Sequence, residues 1–238
     1  MKILITGAAG FLGLHLASYF TKKHCKLTLL DIQEFDKREY GDAYFLTICD
    51  VRDREKLDTL IKGQDIVIHA AAALPLWKKE DIYTTNIDGT RNVLELAKKH
   101  KVKRLIFISS TAVYGVPKRH PIIETDPCVG VGHYGKSKIL AEDLCFKAIE
   151  EGQHITIIRP KTFVGTGRLG VFEILFDWIH DGKRIPIIGS GANKYQLLDV
   201  DDLVEAIYLF CLKDTKIFNG AFNIGAESFG TVKKDLEE

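Results

Sequence analysis

The stretch YGKSK at residues 134–138 sets a tyrosine four residues before a lysine. Residues four apart on a helix share a face, so Tyr134 and Lys138 would point into the same space. A free phenol titrates near pH ~10 and is a poor base at neutral pH, but a neighbouring ammonium favours the phenolate and lowers that value. The pair reads as a base for a hydroxyl proton. Ordinary solvated helix faces carry the same spacing, so a second set of groups matters. The apolar run RLIFISS (104–110) ends in Ser109 and Ser110, followed by Thr111. Serine at a strand end is commonly a local cap; beside Tyr134 and Lys138 it would complete a donor, a base and a cation.

A third group lies at the amino terminus, where TGAAGFLG spaces Gly7, Gly10 and Gly13 as G-x-x-G-x-x-G. Gly7 suits a tight strand-to-helix turn, Gly10 lets the backbone approach a pyrophosphate, and Gly13 lets the helix pack close to a sheet. Phe11 and Leu12 open that helix, whose free N–H groups and positive end form an anion site. The next apolar run, KLTLLD, ends in Asp31, followed by Ile32. Asp31 stands at about the separation expected for a carboxylate that accepts from adenosine ribose hydroxyls. It would repel a 2′-phosphate, and no arginine follows immediately, which favours NAD over NADP. A plain strand-end cap is the alternative.

These residues need a frame. Runs rich in Ile, Val, Leu and Phe at 2–6, 26–31, 43–48, 65–70, 104–110, 154–160 and 221–225 alternate with candidate helices near 11–23, 53–62, 80–100, 133–151, 171–181 and 201–213. In the third of these helices Ile87, Val93, Leu94 and Ala97 share a face. Strands that alternate with helices and are nearly all apolar argue for a parallel, doubly wound α/β sheet. Ligands bind such sheets beyond the carboxyl ends of the strands, where all three groups fall. The segment from Gly165 to Tyr195 departs from the rhythm and reads as an excursion for substrate contacts.

The 238 residues are enough for one substantial core. Apolar residues make up 46% and charged residues 27%, as in folded soluble domains. With 33 basic against 32 acidic residues the formal charge is +1, which argues against nucleic acid as a partner. Five scattered cysteines, with no C-x-x-C pair, read as reduced thiols with no metal site. No signal-peptide pattern and no membrane-length apolar run is seen, so a cytoplasmic protein without a membrane partner is expected.

Together the motifs resemble the extended short-chain dehydrogenase/reductase family, in its NAD-dependent nucleotide-sugar epimerase/dehydratase branch. The matching stretches are TGAAGFLG, Asp31, CDVRD (49–53), HAAA (69–72), TNIDGTRNVLELA (85–97), SSTAVYG (109–115), YGKSK, RP (159–160), DVDDLVEAI (199–207) and FNIG (222–225). The resemblance implies a Rossmann-type NAD-binding domain over 1–165, completed by about 196–228, and a small, incomplete substrate lobe over 166–195 plus the C-terminal end. It implies Tyr134 as base, Lys138 on the nicotinamide ribose, and Ser110 on the reacting oxygen. Asp50 and Val51 would flank the adenine, Ala70, Ala71, Ala72 and Pro160 would line the cofactor, and Asn86 would brace the site among the cofactor contacts.

The family's dehydratases and decarboxylases resemble one another in carrying a glutamate two residues after the catalytic Ser or Thr. Here that position is Ala112, which leaves epimerase or simple oxidoreductase. The R-x-x-N of similar epimerases is Arg159, Pro160, Lys161 and Thr162, and the usual diphosphate arginine is replaced by Tyr195. Thr111, Thr162, Arg168 and Lys194 are the candidate substrate contacts. Leu74, Leu76 and Trp77 near the mouth would suit a reductase of a hydrophobic ketone or alcohol, and a dinucleotide-binding protein without turnover is a third reading. Family members commonly dimerise through the helices near 85–100 and 133–151, so a homodimer acting on a nucleotide sugar is expected.

Overall fold

The structure is a computed structural model that describes residues 1–34, 46–117, 120–166, 173–185, 187, 189–212 and 216–237. Its frame is a seven-stranded, all-parallel sheet in the order β3-β2-β1-β4-β5-β6-β9. The strands are β1 (Lys2–Thr6), β2 (Lys26–Asp31), β3 (Leu46–Ile48), β4 (Ile66–His69), β5 (Arg104–Ile108), β6 (Ile155–Pro160) and β9 (Gly220–Ile224). Residues 43–45 of the third expected run lie outside the described residues. A two-stranded parallel ribbon, β7 (Phe163–Val164) with β8 (Leu198–Asp199), stands beside the main sheet.

The alternation of β1 shows why both faces must be covered. Ile3 and Ile5 pack with Leu16, Phe20, Leu203 and Ile207 on one side, while Leu4 packs with Leu30, Val67, Leu105 and Val93 on the other. The first face is covered by α1 (Phe11–Lys22) and α7 (Val200–Leu212). The second lies under α2 (Arg54–Ile61), α4 (Thr90–Lys99) and α5 (Gly132–Glu150). Side chains of period-2 strands then enter two cores, and the parallel sheet is buried on both faces.

The helix expected over 80–100 is three pieces: α3 (Lys79–Tyr83), a π-helical stretch at Thr84–Gly89, and α4. A short 3₁₀ turn, Thr111–Tyr114, follows β5. The described elements also include α6 (Glu173–His180), a 3₁₀ turn at Lys216–Phe218 and α8 (Val232–Glu237). Among the described residues no helix is long and apolar enough to cross a membrane, and all five cysteines are free.

Candidate active site

The carboxyl ends of β1, β2, β4, β5 and β6 open into one cleft of about 870 Å³. That volume is within the range of small-molecule and cofactor sites. At its amino-terminal end Gly7 takes φ +70°, and a β-carbon there would stand 2.6 Å from the Ala71 nitrogen. Only glycine lets β1 and β4 approach so closely. Gly10 precedes α1 in extended geometry without a side-chain cap, so first-turn amides face the cleft at the positive end of the helix. Asp31 accepts from the Ala9 nitrogen at 2.9 Å and the Gln33 nitrogen at 3.1 Å. The carboxylate fastens the glycine turn while each oxygen keeps a lone pair for another donor.

The turn is also held from below. Buried His69 meets Thr6 Oγ1 through Nδ1 at 2.7 Å and Thr90 Oγ1 through Nε2 at 3.0 Å, and Thr6 Oγ1 accepts from the Ala71 nitrogen at 3.1 Å. Burial drives His69 down to about 3, aided by the charge of Lys138, so the ring stays neutral at ordinary pH.

At the other end of the cleft α5 brings Tyr134 and Lys138 to Ser110. Gly135 makes this possible: a β-carbon there would stand 2.7 Å from the Ala112 carbonyl oxygen, so α5 lies directly on the 3₁₀ turn. Lys138 Nζ donates to the Ile108 carbonyl at 2.9 Å and stands 5.9 Å from the centre of the Tyr134 ring. Ser110 caps the turn by accepting from the Ala112 nitrogen at 3.1 Å, and it is hydrogen-bonded to Tyr134. The cap reading is observed, and the cap leaves Ser110 at the cleft lining.

The expected acidification of the phenol is corrected here. Burial pushes Tyr134 up to about 12, and the bond to Ser110 only partly opposes it. Burial likewise lowers Lys138 to about 8, against the charge of Glu142. Burial thus outweighs the bond to Ser110 at Tyr134 and the charge of Glu142 at Lys138.

Residues 3–225 match the NAD dependent epimerase/dehydratase family. The chain belongs to that family.

Among its relatives is an uncharacterized protein, y4nG, of Sinorhizobium fredii, 32% identical over 98% of this chain and 58% of that protein. An N-acetyl-α-D-glucosaminyl-diphospho-ditrans,octacis-undecaprenol 4-epimerase of Escherichia coli O157:H7 is 34% identical over 87% of this chain and 62% of its own length. This chain thus spans about three fifths of those two relatives. A solved UDP-glucose 4-epimerase with UDP-glucose, from Thermotoga maritima, superposes with a TM-score of 0.86 at 27% identity, covering 100% of this chain and 81% of that one.

The family match frames where each expected residue falls. Gly7, Gly10, Phe11, Leu12, Gly13, Asp31, Ile32, Asp50, Val51, Ala70, Ala71, Ala72, Ser110, Thr111, Tyr134, Lys138, Pro160 and Thr162 all line the cleft. Asn86 does not. It is buried, accepting from the Ala73 nitrogen at 2.8 Å and donating to Ser137 Oγ at 2.9 Å, so it braces the β4 loop against α5 from outside the cleft lining. Lys194 also misses the cleft lining: its ammonium stands 5.9 Å above the Phe229 ring. Arg168 lies outside the described residues.

Arg52, Lys161, Gln33 and Thr85 are among the polar or charged lining groups to which the sequence reading gives no role. Arg52 grips Asp50 through Nε at 3.1 Å and Nη2 at 2.7 Å, and hydrogen bonds from Arg52 hold the Asp50 carboxyl below the usual carboxylate range. Lys161 lines the catalytic end beside Thr162, and Gln33 lies next to Ile32. Lys161 follows the RP pair directly, which is the signal that could have found it.

Proposed function

We propose that this chain is an NAD-dependent epimerase of a nucleotide-activated sugar, working by transient oxidation to a keto sugar. The observation that carries the reading is one cleft with the glycine turn and Asp31 at one end and Ser110, Tyr134 and Lys138 at the other. The residues fit NAD: uncapped amides of α1 for the pyrophosphate, Asp31 for the adenosine ribose, and Arg52 already neutralised by Asp50. Bound there, NAD would accept a hydride from the sugar carbon and return it to the opposite face.

Tyr134 takes the hydroxyl proton as the C–H bond gives up its electron pair, and returns that proton when the carbonyl is reduced. Ser110 holds the reacting oxygen. Lys138, anchored on Ile108, orients the ribose and favours the phenolate. In the protein alone burial holds the Tyr134 phenol near 12, and the bond to Ser110 is what favours its ionised form. The two named relatives, by their names, act on a sugar joined to a diphosphate, and Lys161 with Thr162 is placed to meet such a group. Ala112, where a dehydratase glutamate would stand, favours epimerisation over elimination.

We further read residues 1–165, completed by about 196–228, as the dinucleotide-binding unit, and 166–195 plus the C-terminal end as a partial substrate lobe. A cytoplasmic homodimer paired through α4 and α5 completes the proposal. A second reading, reduction of a hydrophobic ketone, is favoured by Leu74 and Trp77, which line the cleft.

The test starts with dinucleotide released from denatured protein. Stoichiometric NAD, conversion of UDP-glucose without net redox change, and a loss of about 10³-fold on Tyr134→Phe are expected. Protein that emerges empty and consumes NADH on hydrophobic ketones would replace this reading with the second. NAD binding with no turnover affected by Tyr134→Phe would leave only a binding protein.

A further inference from the structure

Tyr134, Lys138 and Glu142 sit at successive four-residue steps on α5, so they form one stripe. The first two face the cleft. Glu142 is as buried as Lys138 and leaves the cleft lining, at the centre of a polar network whose ion pair with Arg159 is buried. Its carboxylate accepts from Ser109 Oγ and from Arg159 through Nε at 2.9 Å and Nη2 at 2.6 Å. Arg159 Nη1 donates onward to the Tyr114 hydroxyl at 2.7 Å and the Glu124 carbonyl at 3.2 Å. Tyr114 in turn donates to Asn223 Oδ1 at 2.7 Å, and the Asn223 nitrogen donates to Glu124 Oε1 at 2.8 Å.

This network touches each segment that carries a catalytic-end group. Ser109 immediately precedes Ser110, Tyr114 ends the turn containing Thr111, Arg159 immediately precedes Pro160, and Glu142 shares a helix with Tyr134 and Lys138. A buried ion pair of this kind adds little stability over apolar residues of the same size. Its value here is geometric, since misplacement of reacting groups by an ångström can cost about 10²-fold in rate.

We infer that Glu142, through Ser109 and Arg159, is a positioning residue that sets the register of Tyr134 and Lys138 against Ser110. The inference rests on the function proposed above for those three residues. Glu142 also contributes charge: it opposes the deprotonation of Lys138 that burial drives. The titratable groups facing Lys138 are Tyr134, Glu142 and Cys145 on its own helix and His69 from β4.

The test uses the NAD-loaded chain and the variants Glu142→Gln, Glu142→Asp and Ser109→Ala. Two readouts are taken: steady-state turnover of UDP-glucose, and the ultraviolet phenolate titration of Tyr134, isolated by subtracting Tyr134→Phe. Glu142→Gln should lower kcat about 100-fold, leave KM within about twofold and move the Tyr134 titration to higher pH as the Ser110 bond loosens. Ser109→Ala should do the same more weakly, and Glu142→Asp should recover part of the loss. A lower melting temperature with kcat and titration unchanged would overturn the inference and leave a structural brace.

If Glu142→Gln does not fold, Ser109→Ala, which removes a single hydrogen bond, decides by the same criteria. If the wild type turns over no sugar diphosphate, the functional reading fails, and the titration alone still decides the positioning role.

Discussion

The two ends of the cleft are built from different materials. At the glycine-turn end the working atoms are backbone amides of α1, held by Asp31, Thr6 and His69 beneath a core in which Ile3, Leu4, Ile5 and Leu16 are fully buried. At the far side, beyond Pro160, the groups are side chains on exposed segments. Thr162 meets Tyr195 at 3.3 Å, a two-residue ribbon joins Phe163–Val164 to Leu198–Asp199, and a single bridge pairs Lys194 with Thr231. In the proposed function the first end takes the dinucleotide, because the fold itself makes the site, and the second would set which substrate is accepted, because side chains on loops can change without disturbing the sheet.

If that contrast is real, a single methyl group should hurt the first end most. Gly7→Ala forces a left-handed residue and a contact with backbone, since its β-carbon would lie 2.6 Å from the Ala71 nitrogen. A loss of about 3 kcal/mol is expected from backbone strain and overpacking together. Denaturant unfolding, with NAD affinity at least tenfold weaker, would check it. Normal stability with normal NAD affinity would break the claim that the fold makes this site.

Acid should separate the two ends next. His69 is held neutral in the fold at about 3, against about 6.5 when unfolded. Its contribution is therefore fully present above pH ~6.5 and is lost as the pH falls towards 3, because the unfolded chain takes up a proton that the fold refuses. Between pH ~6.5 and ~5 this amounts to about 2 kcal/mol. Comparing wild type with His69→Asn over that range should show the wild type losing stability faster. Parallel curves would mean that His69 protonates in place and that the network under the glycine turn opens readily.

The same contrast explains what could be read in advance. Strands buried on both faces leave continuous apolar runs, so most element boundaries, such as 2–6 for β1 and 26–31 for β2, emerge from pattern alone. The cleft lining at the glycine turn follows because glycine spacing reflects backbone geometry. The π-helical stretch at Thr84–Gly89 was not legible: its apolar period resembles that of a plain helix, and the bonds from Asn86 to Ala73 and Ser137 are tertiary. Nor was Glu142, whose partners come from β5 and β6, although its spacing from Tyr134 and Lys138 was in view. The direction of the Tyr134 shift failed for a related reason, since burial is not written in a four-residue spacing. Lys194 stands out in the sequence only by its nearness along the chain to Tyr195, and in the structure it turns to Phe229.

That last difference sharpens the comparison at its weakest point. Lys161 lines the cleft near the Tyr195 ring, at 5.7 Å, whereas Lys194 stands outside the lining. A partly exposed lysine that meets a diphosphate contributes on the order of 1 kcal/mol, so Lys161→Ala should raise KM for UDP-glucose about fivefold, with kcat and bound NAD unchanged. Lys194→Ala should leave KM within error. The rise caused by Lys161→Ala should also shrink at high salt, because screening weakens exposed charge pairs. Equal losses from both substitutions would show that the substrate reaches past Thr162 to the Lys194–Thr231 bridge, and the specific end of the cleft would then be larger than its described lining.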